Sequence, residues 1–162
     1  MSKLAITLQN LKRAEPVIEV FMPPSTGKND KLVLASKPEA VEEIEKLAAD
    51  AATIAGFNQE EQDSLAIAVT EMANNAVIHG NKRDLNKKVH VTVEVVDTEV
   101  RMTIRDEGKG FNPDTLSNPL DPENLLRESG RGVFIVRSLM DELSYDFSQG
   151  GTQVTIIKRK KK

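Results

Sequence analysis

Glu71 and Asn75 stand four residues apart in a segment whose apolar residues Leu65, Val69, Met72 and Ala76 recur at helical spacing. That spacing puts the polar pair one above the other, on a face separate from the apolar stripe. A carboxylate and an amide carbonyl so placed can hold a hydroxyl and a hard cation side by side, as phosphoryl chemistry with magnesium requires. The plainer alternative is a solvated helix face. Asp106 is the second residue out of pattern. Strand parity sets it on one face with Val100, Met102 and Ile104, so a carboxylate ends an apolar row. It needs a donor there, either a structural backbone amide or the exocyclic amine of a bound base. Thr152 shares the parity of Val154 and Ile156 in a later strand and is expected near Asp106. Glycines complete the set: Gly108 and Gly110 follow Asp106, and Gly130 and Gly132 precede the run Val133, Phe134, Ile135. Glycine at such places lets the backbone approach a ligand and leaves a helix N-terminus free to face phosphates. Neither pair forms a Walker P-loop or a Gly-x-Gly-x-x-Gly turn.

The elements that must position these residues follow from periodicity and punctuation. Leu32 to Leu34 reads as a short strand, and Ser36 with Glu39 as a capping box opening a helix that runs to about Ala55 before Gly56. Asn58 and Glu61 give the same signal for a second helix, Gln59 to His79, stopped by Gly80. Valines at 89, 91, 93 and 95 alternate with polar residues, and Asp97 and Thr98 turn the chain into Val100 to Asp106, a hairpin with one apolar face. Residues 107 to 130 are rich in Gly, Asn, Pro, Asp and Ser and read as a functional loop or lid. A helix resumes near Arg131 and reaches about Met140, then strands Leu143 to Phe147 and Thr152 to Ile157 close the chain around Gly150 and Gly151. The first thirty residues, with a β-prone run at Val17 to Met22 and a break from Pro23 to Asp30, read as an extension. The order predicts an α+β, two-layer sandwich, with helices on one face of a mixed, mainly antiparallel sheet.

Composition narrows the function classes. With 162 residues the chain fits one domain, and the absence of cysteine excludes a disulfide scaffold, a Cys-ligated zinc site and a cysteine nucleophile. The net charge of −3 includes five cations in the terminal run Lys158 to Lys162. Without them 17 cations face 25 anions, a net charge of −8. A body that acidic, with 4% aromatic residues, lacks the phosphate-neutralising surface and stacking platforms of nucleic-acid binders. The basic run reads as a frayed, solvated end. No basic n-region opens the chain and no apolar run approaches the length of a membrane span, so a cytoplasmic location is expected.

In order and spacing these pieces resemble the GHKL superfamily of ATP-binding domains, which groups gyrase, histidine kinases and MutL. The N-box is similar to Glu71-Met72-Ala73-Asn74-Asn75-Ala76-Val77-Ile78-His79-Gly80, the first glycine box to Asp106-Glu107-Gly108-Lys109-Gly110-Phe111, and the second to Gly130-Arg131-Gly132. Within it, the run Asp121 to Gly132 and the later Leu139-Met140-Asp141-Glu142-Leu143 resemble anti-sigma-factor serine/threonine kinases. The likeness covers about residue 32 to 159. It implies the Bergerat ATP-binding fold over residues 31 to 159, flanked by the extension 1 to 30 and a basic tail 160 to 162.

Carried over residue by residue, the resemblance implies that Asp106 takes the adenine amino group with Thr152 in support, that Asn75 holds magnesium, and that Glu71 is the general base. Gly108 and Gly110 would admit the nucleotide, while Gly130 and Gly132 would receive phosphate oxygens. Arg131, or Arg127 in the lid, would stabilise charge on the transferred phosphoryl group. His79 reads as a capping or packing residue, and His90 as strand surface. The cofactors so implied are ATP and Mg2+. The partners are a sigma factor and a STAS-type anti-anti-sigma protein, with room for a homodimer and no part for nucleic acid or membrane. Two rivals stand beside this kinase: a nucleotide-gated partner-binding module without transfer, and a histidine kinase catalytic domain, which would need a phosphoacceptor histidine that neither His79 nor His90 is placed to be.

Overall fold

The computed structural model describes residues 27–110 and 128–162. The elements run β1 (Gly27–Ala35), α1 (Glu39–Ile54), α2 (Gln59–Asn74) continued by a π-helical turn (Asn75–Gly80), β2 (Lys88–Val96), β3 (Glu99–Arg105), α3 (Glu128–Leu139), β4 (Glu142–Asp146) and β5 (Gln153–Arg159). The five strands form one sheet in the order β1-β2-β3-β5-β4. All four pairings are antiparallel. The expected lid, Arg127 and the β-prone run at Val17 to Met22 lie outside the described residues.

One face of the sheet carries the core. Val89, Val91, Val93 and Val95 of β2 and Val100, Met102 and Ile104 of β3 are all buried, and the residues between them are not. The register sets Met102 beside Val93 and Ile156, and Ile104 beside Val91 and Val154, so alternation in each strand becomes one apolar surface. The helices cover it. α1 buries Ala40, Ile44, Ala48, Ala51 and Ala52, a stripe of mostly small residues that permits close helix packing, and α2 buries Leu65, Ala68, Val69, Met72 and Ala73.

The helix ends decide how the site is held. α1 stops in a Schellman motif, with Phe57 N–H donating to the Ala52 carbonyl, Gly56 N–H to that of Thr53, and Gly56 at φ +68°. Its start departs from the sequence reading. Ser36 is no cap: its buried hydroxyl accepts from Asn81 Nδ2, and the helix begins behind Pro38 with Glu39 and Glu42 near its positive end. The capping box at α2 is present in full. Asn58 Oδ1 accepts from Glu61 N–H and Glu61 Oε2 accepts from Asn58 N–H, both at 2.9 Å.

Glu61 also corrects the reading of a frayed tail. Its carboxylate is buried, and Oε1 accepts from Lys161 N–H at 2.7 Å, while Lys160 N–H donates to the Thr98 carbonyl at 2.9 Å. A carboxylate with one oxygen spent on its own helix still needs a donor for the other, and the end of β5 delivers one. Lys158 is buried with Nζ donating to the Leu139 carbonyl, a cation at the negative end of α3. No helix among the described residues is long and apolar enough to cross a membrane.

Candidate active site

Asp106 extends β3 by one step. Its N–H donates to the Thr152 carbonyl at 3.0 Å, and Thr152 N–H returns a bond to Asp106 Oδ1 at 3.1 Å. Gly108 N–H donates to the same Oδ1 at 2.9 Å. Asp106 is 4% exposed, and burial pushes its pKa above the ordinary aspartate value while the two amide bonds oppose the rise. Both donors lie on Oδ1. Oδ2 carries no hydrogen bond among the described residues and faces Gly80, where a Cβ would stand 2.2 Å away. Thr152 is therefore at Asp106 as expected, through its backbone rather than its hydroxyl.

Three glycines make this arrangement possible. A Cβ at Gly108 would lie 2.3 Å from the Gly80 carbonyl oxygen, and one at Gly151 2.2 Å from that of Asp106. No side chain fits at such distances. Gly110, at φ +70°, would bring a Cβ within 3.1 Å of the Gly151 carbonyl oxygen. The sequence reading marked Gly108 and Gly110 but took Gly80 as a helix stop and the end of the N-box, and Gly151 only as a turn. The signal available for both was glycine beside a motif.

Glu71 and Asn75 lie nine and five residues ahead of Gly80, at the junction where α2 passes into the π turn. The Asn75 N–H is shared between the Glu71 and Met72 carbonyls, and Asn81 N–H closes the turn by donating to Ala76, five residues back. Both residues are half-buried, so the face they share is not fully solvated. They meet Gly132 of α3: a Cβ there would stand 2.6 Å from Glu71 Oε2 and 3.9 Å from Asn75 Nδ2. A single helix thus carries the carboxylate and amide to α3 and ends against Asp106 Oδ2. That juxtaposition joins all three motifs.

Gly130 and Gly132 do not precede the helix as read from sequence; α3 starts at Glu128 and contains both. Gly132 is where α2 and α3 come close, so its lack of a side chain serves the approach of Glu71. Arg131 is exposed in the opening turns of α3, and His79 is exposed at the end of the π turn. His90 is more than strand surface. Its Nε2 lies 2.7 Å from Glu107 Oε1, a contact across 17 residues that no local pattern announces. Among the described residues no group of three or more His, Cys, Asp or Glu could cage a metal ion.

The fold has counterparts among known proteins. The histidine kinase-like ATPase domain family matches residues 34–158. A serine-protein kinase RsbW from Staphylococcus epidermidis is 31% identical over 115 residues, 67% of this chain and 72% of that protein, and one from Staphylococcus aureus matches to the same extent. The crystal structure of the RsbU and RsbW domains of a Mycobacterium tuberculosis protein superposes with a TM-score of 0.59 at 19% identity. That likeness is one of fold, over 82% of this chain and 32% of the longer one.

Proposed function

Because the chain belongs to the histidine kinase-like ATPase family, beside the serine-protein kinase RsbW of staphylococci, we propose that it is a cytoplasmic ATP-dependent protein serine/threonine kinase of the anti-sigma-factor type. It phosphorylates a STAS-type anti-anti-sigma partner and sequesters a sigma factor. The observation that carries this reading is the span of one helix between two poles, Glu71 and Asn75 at Gly132 and Gly80 at Asp106 Oδ2.

Each residue has a task set by its surroundings. Asp106, with Oδ1 spent on Gly108 and Thr152, offers Oδ2 as a charged acceptor to the amino group of adenine. Gly80, Gly108 and Gly151 keep side chains out of that corner. Asn75 presents an amide oxygen to magnesium, an ion that takes few protein ligands and fills its shell with phosphate oxygens and water. When bound, the ion would offset the negative charge of the phosphates. Glu71 accepts the proton of the attacking serine or threonine hydroxyl, a role worth typically about 10²–10⁴-fold in rate. Gly130 adds no side chain to the first turn of α3, where phosphate would bind, Gly132 lets Glu71 approach that helix, and Arg131 or Arg127 serves the transferred group.

The test adds purified protein, γ-labelled ATP and magnesium to lysate from its own source, beside Glu71→Ala and Asn75→Ala controls. A small protein labelled on serine or threonine only by the wild type supports the kinase. Glu71→Ala should bind ATP without transferring, and Asn75→Ala should lose the magnesium-dependent part of ATP affinity. ATP binding with no labelled protein would instead favour a nucleotide-gated binding module.

A further inference from the structure

Asn81 follows the π turn directly and is fully buried, yet it has no part in the chemistry above. Both polar atoms of its side chain are committed. Oδ1 accepts from Glu107 N–H at 2.8 Å, and Nδ2 donates to Ser36 Oγ and to the Lys88 carbonyl, the latter at 2.8 Å. Glu107 is gripped at its other end as well. Its Oε2 accepts from Lys88 N–H at 2.9 Å, and its Oε1 pairs with His90 Nε2. That bond holds the Glu107 carboxyl below the usual range, so it remains an ionised acceptor. Residue 107, next to Asp106, is thereby tied to the end of the α2 helix, to β2 and, through Asn81, to the end of β1. None of these bonds reaches Asp106 Oδ2.

The geometry points to Asn81, Glu107 and His90 as positioning residues that hold Asp106 in register with the helix bearing Glu71 and Asn75, and so set the selectivity for the base. The inference rests on the reading of Asp106 as the acceptor of an adenine amino group. One oxygen reads the base, and a hydrogen bond weakens steeply once its angle or length drifts. Asp106 is paired with Thr152, but the turn that follows it, Glu107 to Gly110, contains two glycines and is compliant on its own. Within it, Glu107 is the side chain bonded to the sheet. His90 pairs with Glu107 through its side chain and stands opposite Val33 of β1 and Arg105 of β3 in the strand register.

The experiment measures ATP and GTP dissociation constants, with thermal midpoints, for the full chain and for Glu107→Ala, His90→Ala, His90→Gln and Asp106→Asn. Glutamine at 90 keeps an N–H donor for Glu107. A purely structural part would lower the midpoint and leave the ATP-to-GTP preference of the folded protein untouched. The expected result is a preference reduced about tenfold in Glu107→Ala and His90→Ala, the scale of one hydrogen bond, and kept within about twofold of wild type in His90→Gln. Wild-type preference in both alanine variants, with preference lost in Asp106→Asn, overturns the positioning role and leaves the Asp106 reading intact. Preference retained in Asp106→Asn overturns both.

Discussion

Replacing Asp106 by asparagine separates the two tasks of its carboxylate. The amide oxygen can take the place of Oδ1 and keep the bonds from Gly108 and Thr152 N–H, while the amide nitrogen then stands where Oδ2 faced Gly80. A buried charge is lost and two charged bonds become neutral. These effects oppose each other, as the opposed causes of the raised pKa already indicate, so the fold should hold to within about 1 kcal/mol. Binding has no such offset. Adenine loses a hydrogen bond to a charged group, worth about 1.5–3 kcal/mol, and its amino group meets another donor. At about 1.4 kcal/mol per tenfold, ATP affinity falls by about 10- to 150-fold. Guanine presents a carbonyl at the same position and gains a donor, so the ratio of ATP to GTP affinity falls further still. Calorimetric titration with each nucleotide, beside a thermal melt, reads all three quantities. Asp106→Ala is the structural control. It leaves two backbone N–H groups without an acceptor, at about 1–3 kcal/mol each, and should melt well below the asparagine variant. Unchanged ATP affinity in a folded Asp106→Asn protein, or equal melting of the two variants, would refute the division of labour between Oδ1 and Oδ2.

Three further expectations follow from single contacts. Gly132→Ala improves helix propensity by up to about 1 kcal/mol but sets a methyl 2.6 Å from Glu71 Oε2; the side-chain end swings aside, so phosphotransfer should drop at least tenfold with ATP affinity nearly kept, as single-turnover labelling and titration together will tell. Acidification should weaken ATP binding from a pH above the ordinary aspartate range, because the raised pKa protonates Asp106 early and a neutral carboxyl is a poor acceptor. Without nucleotide the sign reverses: the group favours the fold when protonated and that contribution is lost as pH rises through its folded pKa, whereas Asp106→Asn should be flat in both assays. Deleting Lys160 to Lys162 removes the N–H donors held by Glu61 and Thr98 and should lower the thermal midpoint by several degrees without changing ATP affinity; an unchanged melt means the tail adds nothing to the fold.

Much of this protein was legible from residue order, because the physics involved is local. The Asn58–Glu61 box, the valine alternation of β2 and the apolar row ending in Asp106 are set by neighbours within a few residues, and each stands in the structure as read. The polar pair Glu71 and Asn75 and the glycines beside Asp106 likewise stood out by their spacing. Contacts that close over long separations were not. Ser36 has the spacing of a helix cap, but a buried Asn81 45 residues away claims its hydroxyl. The terminal lysines look like a solvated run, but a buried Glu61 lacks a second donor until Lys161, 100 residues later, arrives with one. His90 pairs with Glu107 only because the β2–β3 register and the turn after β3 bring them together. The sequence by itself singled out the candidate residues and most of the elements that carry them. Tertiary structure alone decided which oxygen of Asp106 is spent and which is left, since that depends on backbone amides and carbonyls whose positions no side-chain pattern encodes.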